Sequence, residues 1–128
     1  MDLTWYDTLN KPAFTPPSSV FAPAWTILYI MIFLSFVIFM MAKTSQDKAI
    51  GIWLFFTQLL LNFLWSPVFF YWKNISLSLV IIILLLAFLV LTVISFYKIS
   101  KLSAFLLIPY LLWICYATYL NYGFMVMN

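Results

Sequence analysis

The chain has 128 residues, 67% of them hydrophobic and 7% charged, against globular averages of roughly half apolar and a quarter charged. A single domain of this composition has too little polar surface to cover itself and must be dissolved in a bilayer. Its net charge of +3 comes from six lysines and three aspartates; the lysines are scattered over loop positions and form no patch, so nothing points to a nucleic-acid partner.

The first element is a loop. Trp5 to Tyr29 reads WYDTLNKPAFTPPSSVFAPAWTILY. Pro12, Pro16, Pro17 and Pro23 forbid a long helix before about Ala22, while Trp5, Tyr6, Phe21, Trp25 and Tyr29 supply aromatic anchors. A stiff, proline-set aromatic loop over residues 1–19, lying on the mouth of a membrane helix, reads as a lid.

Breaks in the apolar pattern at 43–48, 73–74 and 98–101 divide the rest into runs at about 20–42, 49–72, 75–97 and 102–127. Each exceeds the ~20 residues needed to cross ~30 Å of hydrocarbon, and backbone in lipid must satisfy its own hydrogen bonds. The expectation is an all-α integral membrane protein. It forms a single transmembrane domain over 1–128, an antiparallel bundle of four helices with short connections. The first run is not a signal peptide: it is too long, lacks a small-residue cleavage site and follows no basic cluster.

In the second run Gln58, Asn62, Trp65 and Phe69 recur on one helical face, and in the fourth Tyr110, Trp113, Ala117 and Asn121 do the same. Polar groups at membrane depth point into a bundle rather than to lipid. Pro67 and Pro109 each remove a backbone bond from those helices and are expected to kink them. The third run, Ile75 to Tyr97, is nearly all Ile, Leu and Val and reads as lipid-facing filler. Interhelical hydrogen bonding is the favoured reading of Gln58 and Asn62, and an interfacial belt that of Trp5, Trp53 and Trp72. Trp65 lies ~18 Å along its helix from Trp53 and ~12 Å from Lys73, too deep for a belt. A packed interface and a ligand site fit Trp65 and Trp113 equally. Cys115, the single cysteine, reads as a small buried hydrophobe.

Lys43, Lys48, Lys98 and Lys101 fall on one side of the bundle, Lys11 and Lys73 on the other. That asymmetry favours the first side facing the cytoplasm, with the aromatic loop and the C-terminal end outside. Missing chemistry narrows the function further. There is no His, Glu or Arg, and Asp2, Asp7 and Asp47 lie outside the apolar runs, so no membrane-depth group can relay protons for a coupled exporter. Metal clusters, Ser-His-Asp triads and paired carboxylates cannot be assembled. What remains is a pocket of indoles, phenols and amides, suited to a flat, largely apolar ligand.

Trp5-Tyr6, Leu9, Lys11-Pro12, Pro16-Pro17, Phe21, Pro23, Trp25-Thr26 and Leu28-Tyr29 are followed by Gln58, Leu61-Asn62, Trp65-Ser66 and Phe69-Phe70. Pro109-Tyr110, Trp113, Ala117-Thr118 and Leu120-Asn121 come last. In this order and placement they resemble the TspO/MBR family, the tryptophan-rich sensory and translocator proteins, over essentially the whole chain. The resemblance implies a membrane protein, usually a homodimer, that binds porphyrins of the protoporphyrin IX type, with no obligatory cofactor and no metal. By motif match the pocket would include Tyr6, Pro16, Trp25, Tyr29, Asn62, Trp65, Trp113 and Ala117. Trp25, Trp65 and Trp113 would serve any light-dependent porphyrin degradation.

Two departures stand beside it. Members have five helices, the first preceding the Trp-Tyr loop, whereas Trp5 here is four residues from Met1. Either the start is misplaced or this is a shortened member. The cholesterol-type motif is also incomplete, since no basic residue follows Leu120-Asn121-Tyr122. The expected function is a porphyrin-binding sensor or scavenger in a bacterial or archaeal plasma membrane. The alternatives are a transporter of porphyrin-like solutes and a structural or regulatory partner protein.

Overall fold

The computed structural model describes residues 4–12, 15 and 18–128, and among these every regular element is helical. A short helix α1 (Thr4–Thr8) precedes a 3₁₀ turn (Ser18–Val20) that runs into α2 (Phe21–Met41). Then come α3 (Ala49–Ser66), continued by a π-helical turn (Pro67–Tyr71), α4 (Ile75–Tyr97), a short α5 (Lys101–Leu106) and α6 (Ile108–Met127). Four stretches are long and apolar enough to cross a membrane: Phe21–Met41, Ala49–Tyr71, Ile75–Tyr97 and Lys101–Met127. The protein is therefore an all-α integral membrane bundle.

Local chemistry sets the helix ends. Pro23 falls in the first turn of α2, where its missing N–H costs nothing. At the other end of α2, Lys48 Nζ donates to the carbonyls of Met40 (2.8 Å) and Ala42 (2.7 Å), a cation on a helix C-terminus. Asn74 Oδ1 accepts from Leu77 N at 3.0 Å and caps α4, and Ser100 does the same for α5 through Ser103 N at 3.3 Å.

The two prolines act differently from a simple kink. Pro67 cannot donate to the preceding turn, and the chain widens into i→i+5 pairing, with Trp72 N donating to the Pro67 carbonyl at 3.0 Å. Lys73, at φ 55°, then turns the chain out of the span. Pro109 sits in the first turn of α6, after a break at Leu107 that separates α5 from α6. The fourth run is thus two helices, and its proline occupies a position that tolerates it.

Packing corrects two expectations. α4 is no filler: it packs against α3, α5 and α6, burying Ser78, Ile82, Leu85, Leu89, Thr92 and Phe96. That stripe has helical spacing, but its apolar members were invisible against flanks that are equally apolar. Cys115 is exposed, because it follows Ile114 on the outward side of α6 while Ile114 itself is fully buried. α2 and α5 approach closely through small residues. Ser35 Oγ donates to the Ser103 carbonyl and Ser103 Oγ to the Ser35 carbonyl, both at 2.7 Å.

The bundle has two distinct ends. Gln46 Nε2 donates to the Lys98 carbonyl at 3.3 Å, joining the two lysine-bearing turns at one end. At the other, Asn10 N donates to Asn128 Oδ1 at 3.1 Å, joining the N-terminal segment to the end of α6. Near the lysine end, Phe39 stacks on Phe96 at 4.0 Å between centroids, with Gly51 beneath it. A Cβ at Gly51 would lie 2.7 Å from Phe39 Cζ and 3.1 Å from Ser95 Oγ. The ring cannot retreat, since its other face is covered by Phe96. Gly51→Ala should therefore destabilise the bundle by roughly 1–3 kcal/mol of overpacking, against the ~1 kcal/mol that alanine gains in a helix. A lowered thermal unfolding midpoint in detergent checks this; a raised one would mean that the ring yields.

Candidate ligand site

The site lies at the end opposite the lysine-bearing turns. α6 offers Trp113, Tyr116, Ala117, Leu120, Asn121 and Phe124; α3 and its π-turn offer Trp65, Phe69 and Phe70; α2 offers Phe21 and Trp25; α1 offers Tyr6. An α-helix would not turn three consecutive side chains inward, but the π-turn buries Val68, Phe69 and Phe70 together. The irregular turn at Pro67 thus builds one wall.

The rings meet mostly edge to face. Tyr6 lies 5.0 Å from Phe21 and 5.4 Å from Phe124, and Trp25 lies 6.1 Å from Trp113 at 84°. Trp65 stacks on Phe69 at 5.4 Å, and its indole N–H donates to Asn121 Oδ1 at 2.9 Å. Asn121 Nδ2 donates in turn to the Ile75 carbonyl at 3.0 Å. Trp65 is therefore fixed in orientation by two further elements. The Trp113 N–H is buried without an acceptor among the described residues. Burial, with smaller contributions from Tyr116 and Asp7, pushes the Tyr6 phenol up to about 12, so the ring packs uncharged at neutral pH.

Below this cleft runs a chain of side-chain hydrogen bonds. Tyr29 Oη donates to Asn62 Oδ1 (2.6 Å), Asn62 Nδ2 to Tyr110 Oη (2.8 Å), and Tyr110 Oη to Gln58 Oε1 (2.8 Å). It links α2, α3 and α6 and ends on Gln58 Nε2, a buried donor without a partner among the described residues.

The structure gathers Tyr6, Trp25, Trp65, Trp113 and Ala117 around one cleft. Tyr29 and Asn62 do not line it; they belong to the hydrogen-bonded chain beneath, where Tyr29 stacks under Trp25 at 5.5 Å. Pro16 lies outside the described residues. The sequence-derived pocket left out Phe21, Phe69, Phe70, Tyr116, Leu120, Asn121 and Phe124, although Phe69 and Asn121 were placed on the inward faces. Phe124 was within reach, being three residues beyond Asn121 on the same α6 face; Phe70 depends on the π-turn and carried no periodic signal. Among the described residues no group of His, Cys, Asp or Glu could hold a metal ion.

The cleft is nearly closed. It holds about 430 Å³ of space between atoms, mouth included, yet only about 20 Å³ of it can accept the centre of a water molecule. That is room for about one water, far below the roughly 300–1,000 Å³ of ordinary small-molecule pockets. Any larger guest must displace a ring.

The sequence profile described as the TspO/MBR family matches residues 1–127. The tryptophan-rich protein TspO of Archaeoglobus fulgidus is 44% identical over 125 residues, covering 98% of this chain and 80% of that protein. That of Chlorobaculum tepidum is 39% identical over 125 residues (97% and 79%), and the human translocator protein 36% identical over 122 residues (94% and 72%).

Tyr110 is the joint of the polar chain, as both donor and acceptor. Tyr110→Phe would leave Asn62 Nδ2 and Gln58 Oε1 without their partner, at roughly 1–3 kcal/mol for a buried unsatisfied group. Thermal unfolding in detergent should show this loss, whereas Tyr122→Phe, on an exposed tyrosine, should unfold like wild type. Equal midpoints for the two variants would show that the chain contributes nothing to stability.

Proposed function

This chain belongs to the TspO/MBR family, and on that premise we propose that it is a membrane receptor for a flat, largely apolar tetrapyrrole. In this reading it acts as a sensor or scavenger, and it promotes light-dependent porphyrin loss through its pocket indoles. The observation that carries the reading is the convergence of Trp25, Trp65 and Trp113 on one cleft at a single end of the bundle. Indole faces stack on a macrocycle, and the unpartnered Trp113 N–H can meet an acceptor on it. Its propionates would seek water or Lys11 at the mouth. Without histidine in the sequence, the site suits a metal-free porphyrin.

A transporter is the second reading, supported by the name of the human relative, translocator protein. A groove of about 420 Å³ between α2 and α6 shares Trp113 and Tyr116 with the cleft, and favours exchange of a ligand with the bilayer. No carboxylate stands at membrane depth among the described residues to couple uphill movement to protons.

Titration with protoporphyrin IX, followed by tryptophan fluorescence in the dark and under light, tests the proposal. Binding should quench the indoles. Ala117→Leu puts extra carbons into the cleft and should weaken binding about tenfold, the effect of ~1.4 kcal/mol. Trp65→Phe or Trp113→Phe should slow light-driven porphyrin loss while keeping much of the affinity. If Ala117→Leu and Trp113→Phe both behave as wild type in both assays, the porphyrin site is elsewhere.

Orientation belongs to the same proposal. Four lysines at one end against Lys11 and Lys73 at the other support a cytoplasmic position for the α2–α3 and α4–α5 turns. A cysteine placed at Ser45 in a Cys115→Ala background should escape an impermeant thiol reagent on intact cells. Strong labelling there reverses the assignment.

A further inference from the structure

Of the side chains lining the cleft, all but Tyr6 stand on membrane-spanning helices. Tyr6 stands on α1, five residues long, far too short to be stable unaided. Yet its ring is 1% exposed and lines the cleft, against Phe21 at 5.0 Å, Phe124 at 5.4 Å and Phe70 at 6.3 Å. It is the one wall of the cleft that can leave without unpacking a transmembrane helix.

Besides the ring contacts of Trp5 with Phe69 and of Tyr6 with its neighbours, the segment is held by a strip on the last turns of α6. Asn10 and Asn128 pair reciprocally: Asn10 N donates to Asn128 Oδ1 at 3.1 Å, and Asn128 Nδ2 to the Asn10 carbonyl at 3.0 Å. Asn10 Nδ2 adds a bond to the Met127 carbonyl at 3.3 Å. One turn earlier, Pro12 lies directly on Gly123: a Cβ there would come within 2.7 Å of both Pro12 Cβ and Cγ. A proline ring cannot fold away as a long side chain can, so the seat exists only because position 123 has no side chain. Gly123, Met127 and Asn128 lie four and five residues apart, near one another on the helix surface.

We infer that Tyr6 is a built-in occupant of the ligand cleft, and that the Pro12–Gly123 seat with the Asn10–Asn128 pair is the latch that keeps it there. Ligand and Tyr6 compete for one volume. The latch therefore sets the fraction of molecules that can bind, and lowers the apparent affinity by that fraction. The occupant half of the inference rests on the site reading given above; the latch does not.

Gly123→Ala separates this device from ordinary stability, because alanine favours the α6 helix by up to ~1 kcal/mol while evicting Pro12. Asn128→Ala, at an exposed position, removes the amide pair without touching the core and serves if Gly123→Ala folds poorly. Hydrogen exchange of the full chain in detergent is read at the amides of residues 4–11. Each variant should speed exchange there roughly three- to tenfold, as loss of one or two net hydrogen bonds implies, with the spans as protected as in wild type. Unchanged exchange in both variants overturns the latch. The same proteins are then titrated with protoporphyrin IX, where on-rate and apparent affinity should rise by the factor seen in exchange. Faster exchange with wild-type on-rate and affinity overturns Tyr6 as the occupant. Faster exchange with no porphyrin binding by any of the proteins, wild type included, upholds the latch and overturns the porphyrin reading of the site.

Discussion

A polar side chain buried in hydrocarbon has no water to fall back on, and this bundle is organised around meeting that demand from within. Asn62 and Asn121 are two of the points where it is met, beside the Ser35–Ser103 pair. Asn62 accepts from Tyr29 and donates to Tyr110, so one amide on α3 fastens α2 and α6 together. Asn121 accepts from Trp65 and donates to the first carbonyl of α4. Lipid tails are as apolar as leucine and provide no hydrophobic drive for helices to associate. Amide bridges and close packing must supply register and specificity instead. Asn121 lines the candidate cleft and fixes Trp65 in its wall, while Asn62 ties together the polar chain beneath it.

The same constraint shapes the irregular backbone at Pro67. A proline inside a span deprives the carbonyl one turn before it of a donor, and after Pro67 the turn widens while keeping the next carbonyls paired, with Trp72 N and Asn74 N reaching back to the Pro67 and Val68 carbonyls. The widened turn rotates Phe69 and Phe70 inward together. A π-turn inside a helix often marks a functional site, and here it trades helical regularity for two rings in the cleft wall.

Much of this was legible in the sequence, and the reasons differ by element. The spans were legible because their signal is total hydropathy, which needs no periodicity. The inward faces of α3 and α6 were legible because Gln58, Asn62, Tyr110 and Asn121 stand out against greasy neighbours. α4 was misread for the opposite reason: when both faces are Ile, Leu and Val, a buried stripe such as Ile82, Leu85 and Leu89 leaves no contrast. The π-turn was hidden because its cause, one proline, equally predicts a kink. Tyr29 and Asn62 were grouped with the pocket residues by motif match, whereas the fold puts them in the hydrogen-bonded chain one layer below the cleft. Which of two successive layers a polar residue serves is decided by helix spacing, and sequence does not carry that.

Closure of the cleft follows from dispersion rather than from hydrophobicity. An empty space lined by rings would forfeit van der Waals contact on every wall, and in a bilayer neither water nor a compensating collapse restores it. As the inferred occupant, Tyr6 fills that space, and its edge-to-face contacts with Phe21 and Phe124 are each worth about 0.5–1.5 kcal/mol beyond area burial. A guest must offset those contacts before it gains anything. A small apolar molecule touching one or two rings cannot. A rigid, flat molecule wide enough to meet Trp25, Trp65 and Trp113 together replaces the lost contacts with larger ones and pays little conformational entropy on binding. If Tyr6 is the occupant inferred above, the protein's own tyrosine would act as a filter for size and planarity, rejecting ordinary lipid-phase solutes without any group dedicated to excluding them.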